Sequence, residues 1–248
     1  MNNLEAATKM RTILQLEDPP IAVKLFRPSE RLPSDMKLVN KKLRYCQFLM
    51  LARHGETLLL TPEDLACPAA KAAFGFEPLL EKIASGQMLH TLGLYQSAEA
   101  AANTMTTIPR LKLNTVSAIA AGPLGDFPLE PNVVVVEGLP EQIMWLCLAR
   151  TSEFGGRLNF SSSVFQCCCV DVTVVPYITN EVNISPGCYG TREATDVPPE
   201  HMFIGIPMLL LDQVVNGLKA LSEKAMIKAR AKSVYHAYNQ HKQKREQG

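Results

Sequence analysis

Val133-Val-Val-Val-Glu-Gly-Leu-Pro140, running on into Glu141-Gln-Ile-Met-Trp-Leu-Cys-Leu-Ala149, is the stretch that sets the fold. Four consecutive valines are β-branched and apolar at every position, the pattern of a strand covered on both faces. Pro140 suits the first position of a helix, and Ile143, Leu146, Cys147 and Ala149 follow it at helical spacing. A doubly covered strand that leads into a helix calls for a sheet with helices packed on it.

The rest of the chain reads the same way. Ile21–Phe26, Glu56–Leu60, Val116–Ala121, Leu158–Ser161, Val182–Ser185 and Met202–Ile206 have strand character. Residues 3–17 form an amphipathic helix with Leu4, Ala7, Met10, Ile13 and Leu14 on one face, stopped by Asp18-Pro-Pro20. Tyr45–Arg53 is helical, and Ser97 caps a helix over 97–105. Thr61, with Pro62 and Asp64 behind it, is placed to cap a helix running through Cys67 towards Phe74. A long helix over about 209–235 carries Leu210, Val214, Leu218, Leu221 and Ala225 on one face. Interleaved strands and helices predict an α/β or α+β fold: a mixed central sheet flanked by helices, in a single compact domain over 1–238, with a flexible basic tail over 239–248.

The 248 residues are 47% hydrophobic and 20% charged, ordinary for a globular protein able to bury a sizeable core. A net charge of +1 argues against nucleic acid as the main ligand. No apolar run approaches membrane-spanning length; the longest, 202–211, is broken by Gly205 and Pro207. Met1-Asn-Asn-Leu-Glu-Ala-Ala has neither the basic nor the apolar segment of a secretory leader, so the expected location is the cytoplasm and the expected cysteine state is reduced.

Seven cysteines are the chain's distinctive resource: Cys46, Cys67, Cys147, Cys167-Cys168-Cys169 and Cys188, with no CxxC pair among them. An odd count of reduced thiols favours metal or thiol chemistry over disulfides. Cys147 falls at a helical core position beside Trp145 and reads as packing. Successive side chains diverge by about 100° on a helix and alternate on a strand, so at most one or two of the triplet should face a common centre. Cys46, Cys67, one of the triplet and Cys188 then remain as four thiolates, a set that suits zinc or an iron–sulfur cluster. Arg44, Tyr189 and Arg192 flank these thiols and are candidates for holding a small anionic molecule; for Arg192 the rival reading is a surface ion pair with Glu193 or Asp196. The five histidines share no HxxxH or HxH spacing, and no P-loop, GxGxxG or GxSxG occurs.

Pro19-Pro-Ile-Ala-Val-Lys-Leu25, Arg44-Tyr-Cys-Gln47, Leu58-Leu-Leu-Thr-Pro62 with Ala66-Cys-Pro68, Val133–Glu137, Gly156-Arg157 and Gly187-Cys-Tyr-Gly190 with Arg192-Glu193 together resemble a prokaryotic family, the domain of unknown function numbered 169. The resemblance spans about residues 5 to 235. It implies cysteines at Cys46, Cys67, Cys169 and Cys188, and so singles out Cys169 from the triplet. It also implies an anaerobic setting, which suits an oxygen-sensitive cluster. The chain departs from the family pattern at Ala69-Ala70, where a glycine pair is common, and at Thr191, where a further cysteine is common.

The resulting expectation is a [4Fe–4S] cluster on Cys46, Cys67, Cys169 and Cys188, serving redox or lyase-type chemistry on a small anionic substrate near Arg44, Tyr189 and Arg192. The alternatives are a metal-free ligand-binding or regulatory domain with structural cysteines, a structural zinc site, and a thiol enzyme using Cys67 or Cys188. No nucleic-acid or membrane partner is expected, and the sequence is compatible with a homo-oligomer.

Overall fold

The structure, a computed structural model, describes the backbone of residues 1–246 and the side chains of residues 1–239. In chain order the elements are α1 (Asn3–Leu14), β1 (Ile21–Phe26), α2 (Tyr45–Arg53), β2 (Leu58–Leu60), α3 (Pro68–Ala73), α4 (Glu81–Ala84), α5 (Gln87–Thr91), α6 (Ala98–Thr107), β3 (Ala118–Pro123) and β4 (Val133–Gly138). There follow α7 (Pro140–Thr151), a π-helix (Cys167–Val174), α8 (Val175–Thr179), β5 (Asn183–Ser185), α9 (Tyr189–Ala194), β6 (Met202–Pro207), α10 (Met208–Ser222), α11 (Ala225–Ala231) and α12 (Ser233–Glu246).

The six strands form one sheet in the order β2-β3-β1-β4-β6-β5. The expected helix-flanked sheet is there, but its strands pair antiparallel throughout and are not mixed; parallel pairing is confined to the isolated bridges Leu38–Leu59 and Leu43–Leu65. The fold is therefore α+β. Even the neighbours joined through helices, β2 with β3 and β5 with β6, pair antiparallel.

Alternation along the strands divides the interior in two. Val133 and Val135 face one layer with Ile21, Val23, Leu25, Ile119 and Phe203, covered by α2, α3, α4–α6 and the π-helix. Val134 and Val136 face the other with Ala22, Ala120, Ile204 and Ile206, covered by α1, α7 and α10. All four valines are buried, as a doubly covered strand requires.

Several local expectations are corrected. The Leu158–Ser161 segment is not a strand: the Asn183 side chain takes the place of a strand partner, donating to the Ser161 carbonyl and accepting from the Ser161 N–H, each at 2.8 Å. The helix around Cys67 starts later than expected. Thr61 to Asp64 is a turn, and Pro68 disfavours a helical backbone at the residue before it, so Cys67 becomes the N-cap and the helix begins at Pro68. The long C-terminal helix is divided into α10, α11 and α12, with Lys232 in the left-handed region (φ 46°). The break after Ser222 lets Met226 turn back into the core, and Arg230 reaches the Ile13 carbonyl at 3.0 Å. The tail expected at 239–248 lies largely outside the residues whose side chains are described.

Candidate functional site

The sheet face under α2 and α3 carries the site. The π-helix lies directly on β6, where a Cβ added at Gly205 would sit 2.2 Å from the Val172 carbonyl oxygen; only glycine permits that approach. A second tie runs to β5: the buried Asp171 carboxylate accepts from the hydroxyls of Ser162 (2.7 Å) and Ser185 (2.8 Å), while Asn183 donates to the Asp171 carbonyl (2.8 Å). No cation offsets its burial among these contacts, and the carboxyl is pushed up to about 6. At the start of the π-helix the Gln166 carbonyl accepts from both Val170 and Asp171 N–H, widening the turn. Entry into it is strained, for Val164 (φ 54°) and Gln166 (φ 64°) are both left-handed.

A π-turn holds more residues than an α-turn, so adjacent side chains diverge by less, and Cys167, Cys168 and Cys169 all line one cavity. Cys46, in the first turn of α2, lines it too, as do Cys67, the N-cap of α3, and Cys188, the N-cap of α9. The cavity, about 300 Å³, thus gathers six of the seven cysteines. Its opposite wall is apolar, built from Ile83, Met88, Leu89, Leu92 and Leu94 of the α4–α6 region with Phe165. Cys147 sits apart, half-buried in the other layer, where burial pushes its thiol up to about 11.

All seven cysteines are free. Burial holds the Cys46 thiol well above the ordinary thiol range, helped by Cys168 and Cys188; burial does the same to Cys169, helped by Cys67, Cys188 and Cys168. Cys168 is raised by its hydrogen bond with Cys167, then by burial. The buried Thr191 hydroxyl joins two of these sulfurs, 3.3 Å from Cys188 Sγ and 3.6 Å from Cys168 Sγ. Among the described residues no three His, Cys, Asp or Glu side chains are placed to hold a single metal ion. The sulfurs ring a volume and do not converge on a point.

The candidate substrate residues are placed unequally. Arg44 precedes α2 and lines the cavity; its guanidinium pairs with Glu193, which raises its pKa, and Cys46 and Cys67 contribute in the same sense. Tyr189 also lines the cavity and is half exposed. Arg192 does not line it. Its guanidinium donates to the carbonyls of Pro198 (2.5 Å), Pro186 (2.8 Å) and His201 (2.6 Å), tucked beneath Gly187, whose φ of +99° leaves room that a Cβ would take. Nor does Arg192 pair with Glu193 or Asp196; Glu193 goes to Arg44, and Asp196 to Arg53 (2.8 Å) and His54 (2.9 Å).

These contacts fasten the segment bearing Cys188 onto the helix bearing Cys46. Gln47 accepts from Arg44 N–H and donates to the Ala194 carbonyl. At the far end of α2, buried Arg53 donates to both oxygens of Glu137 (2.8 and 3.0 Å), which also meets His201 at 2.9 Å. The Arg53–Glu137 pair and Gln166 carry no sequence signature, since their partners lie 84 and 97 residues away along the chain.

A family profile described as "Uncharacterised ArCR" matches residues 9–217. An uncharacterised protein of Methanocaldococcus jannaschii is 27% identical over 217 residues, covering 87% of this chain and 93% of its own length. No solved structure matches.

Proposed function

The chain belongs to the uncharacterised DUF169 family, and from that premise we propose that the thiol-lined cavity holds a four-cysteine metal centre, a [4Fe–4S] cluster on Cys46, Cys67, Cys169 and Cys188, serving redox or lyase-type chemistry on a small anionic molecule. The observation that supports this reading is the gathering of six free thiols from four separate segments around one cavity. Packing alone gives no reason for that, since isolated cysteines scatter through cores as small apolar fillers. Thiolates spaced around a volume suit a polynuclear centre, in which each iron takes its own thiolate. A single zinc needs four donors within about 2.3 Å of one point.

Donor chemistry and charge agree with the assignment. Soft sulfurs line the cavity, and Arg44 at its edge offsets the negative charge that a thiolate-ligated centre carries. In the metal-free protein burial keeps the Cys46 and Cys169 thiols protonated at neutral pH, so loading must displace their protons, the usual coupling for a thiolate site. When bound, such a centre would supply electron transfer, and Lewis-acid activation only at an iron whose thiolate gave up its place; the chain supplies an apolar wall and, through Arg44 and Tyr189, a polar edge for an anionic ligand. Arg192, engaged with three carbonyls, is assigned to holding the Cys188 segment and not to the substrate. The thiol-enzyme alternative, with Cys67 or Cys188 as nucleophile, has no histidine among the residues that line the cavity to serve as its base.

Anaerobic purification followed by iron and acid-labile sulfide analysis tests the proposal. Equimolar iron and sulfide with broad visible absorption is the expected outcome. A colourless, iron-free protein whose cavity thiols all titrate in the native state excludes it and leaves the metal-free ligand-binding domain.

A further inference from the structure

Residues 157–165 lead into the π-helix, and among the described residues none of them makes a backbone–backbone hydrogen bond. Side chains hold the segment instead. The Ser162 hydroxyl donates to the Asp171 carboxylate (2.7 Å) and accepts from Val164 N–H (3.0 Å). The Ser163 hydroxyl donates to the Phe165 carbonyl (2.8 Å), and the Gln166 amide nitrogen donates to the Ala69 carbonyl in α3 (2.8 Å). Between these ties Val164 and Gln166 are left-handed, with φ of 54° and 64°. That backbone is unfavourable for any residue but glycine, and a β-branched residue is a genuine outlier there. Burial does not compensate Val164, which is 58% exposed. Phe165, between the two, is partly buried and lines the thiol cavity. A segment without a backbone ladder, strained on both sides of an aromatic ring in the cavity wall, belongs to the least stable part of a fold.

We propose that Ser162–Gln166 is a strap over the thiol cavity, with Phe165 as its plug and the Gln166–Ala69 hydrogen bond as its latch, and that it opens locally to admit what the cavity holds. The inference rests on the cavity being the working site and deepens that reading by naming the way in. Cys167, Cys168 and Cys169 follow the strap directly and are at most 6% exposed. The segment before them is the neighbour free to move aside. Opening lets Val164 and Gln166 return to right-handed backbone, so the stored strain offsets part of the cost of unseating Phe165 and releasing the latch. Ser162, tied to Asp171 in the π-helix, stays behind as the anchor.

Iodoacetamide alkylation of the full chain, after chelation under anaerobic and reducing conditions, reads the opening cysteine by cysteine, with and without dilute urea. Local opening exposes little surface, so the Cys167–Cys169 rates of the unaltered chain should barely respond to dilute urea. Reaction through global unfolding would instead make them rise steeply with it. Phe165→Ala and Gln166→Leu should speed the three thiols. Val164→Asn, a residue that tolerates the left-handed region, relieves strain only in the closed strap and should slow them about fivefold. Cys147 should keep one rate in all three variants. Val164 is exposed, so its variant folds whether or not the other two do. Triplet rates that climb with urea, a triplet that never reacts in the native chain, or Val164→Asn leaving the triplet unchanged or faster overturns the proposal. Iron, determined before chelation, keeps the two readings apart. Urea-independent opening in a protein purified without iron sustains the strap and removes the cluster, and iron-loaded protein whose triplet reacts only through global unfolding does the opposite.

Discussion

The two faces of the sheet are both covered and are differently built. Behind it, α1, α7 and α10 are regular helices that present apolar stripes, and the single cysteine there, Cys147, packs as a small hydrophobe. In front, short helices and a strained π-turn hold six thiols, an unsatisfied amide oxygen and a hydroxyl shared between sulfurs. Hydrophobic burial accounts for the back face. It does not account for the front, where irregular backbone is kept in place by Gly205, Asp171 and the Arg53–Glu137 network. Concentrated irregularity on one face of an otherwise regular fold is what a working site looks like.

Cysteine substitution should separate the faces most sharply. Cys67→Ser or Cys188→Ser is expected to abolish bound iron, while Cys147→Ser leaves it at the level of the unaltered protein, read by metal analysis of anaerobically purified variants. Equal iron in all three would erase the distinction.

A pH dependence concentrated on the front face comes next. Cys46, Cys168 and Cys169 stay protonated in the folded metal-free chain, while unfolded thiols ionise near 8.5. The native state then binds more protons than the unfolded one. Stability is full below pH 8 and falls as pH rises through 9, by up to about 1.4 kcal/mol per thiol per pH unit. Urea unfolding between pH 7 and 10 measures it, and replacing the triplet with alanines should flatten the profile more than Cys147→Ala does.

Two glycines sharpen the contrast at smaller cost. A Cβ at Gly205 meets the Val172 carbonyl at 2.2 Å, and one at Gly217 meets the Ala149 carbonyl at 2.4 Å. Each alanine variant should lose about 1–3 kcal/mol, the Gly217 change partly offset by helix propensity. Gly205→Ala alone should change alkylation rates at Cys167–Cys169, because it lifts the π-helix from β6.

The smallest effect is expected at Asp171. Its carboxyl prefers the protonated form in the fold, so ionisation opposes folding progressively from the unfolded carboxyl range up through about pH 6. Asp171→Asn should raise the melting temperature at pH 8 relative to the unaltered protein, and the gain should vanish near pH 4. A loss at pH 8 would show that the ionised carboxylate is needed by the Ser162 and Ser185 hydroxyls.

The back face and the sheet were legible in the sequence because their signals are local. The valine run, Pro140, the Ser97 cap and the stripe from Leu210 to Leu218 each encode their element within a few residues. The front face was legible only as a set of thiols. Cys46, Cys67, Cys169 and Cys188 do line one cavity, and Cys167 and Cys168 line it beside them, on a π-turn that no α or β period describes. Arg192 was read as a ligand anchor on its closeness in sequence to Cys188, whereas its carbonyl partners at Pro198 and His201 are fixed by tertiary structure. Gln166 was invisible for the same reason, its partner Ala69 lying 97 residues away.

Thiol reactivity before and after iron removal tests most directly the claim that the two faces differ in kind. Anaerobically purified protein is alkylated in its native state, with and without prior chelation under reducing conditions, and each cysteine is quantified by mass spectrometry. The account predicts that half-buried Cys67 is protected while iron is bound and becomes alkylatable once it is withdrawn, while Cys147 reacts at one rate in both states. Identical profiles for all seven cysteines before and after chelation would contradict it.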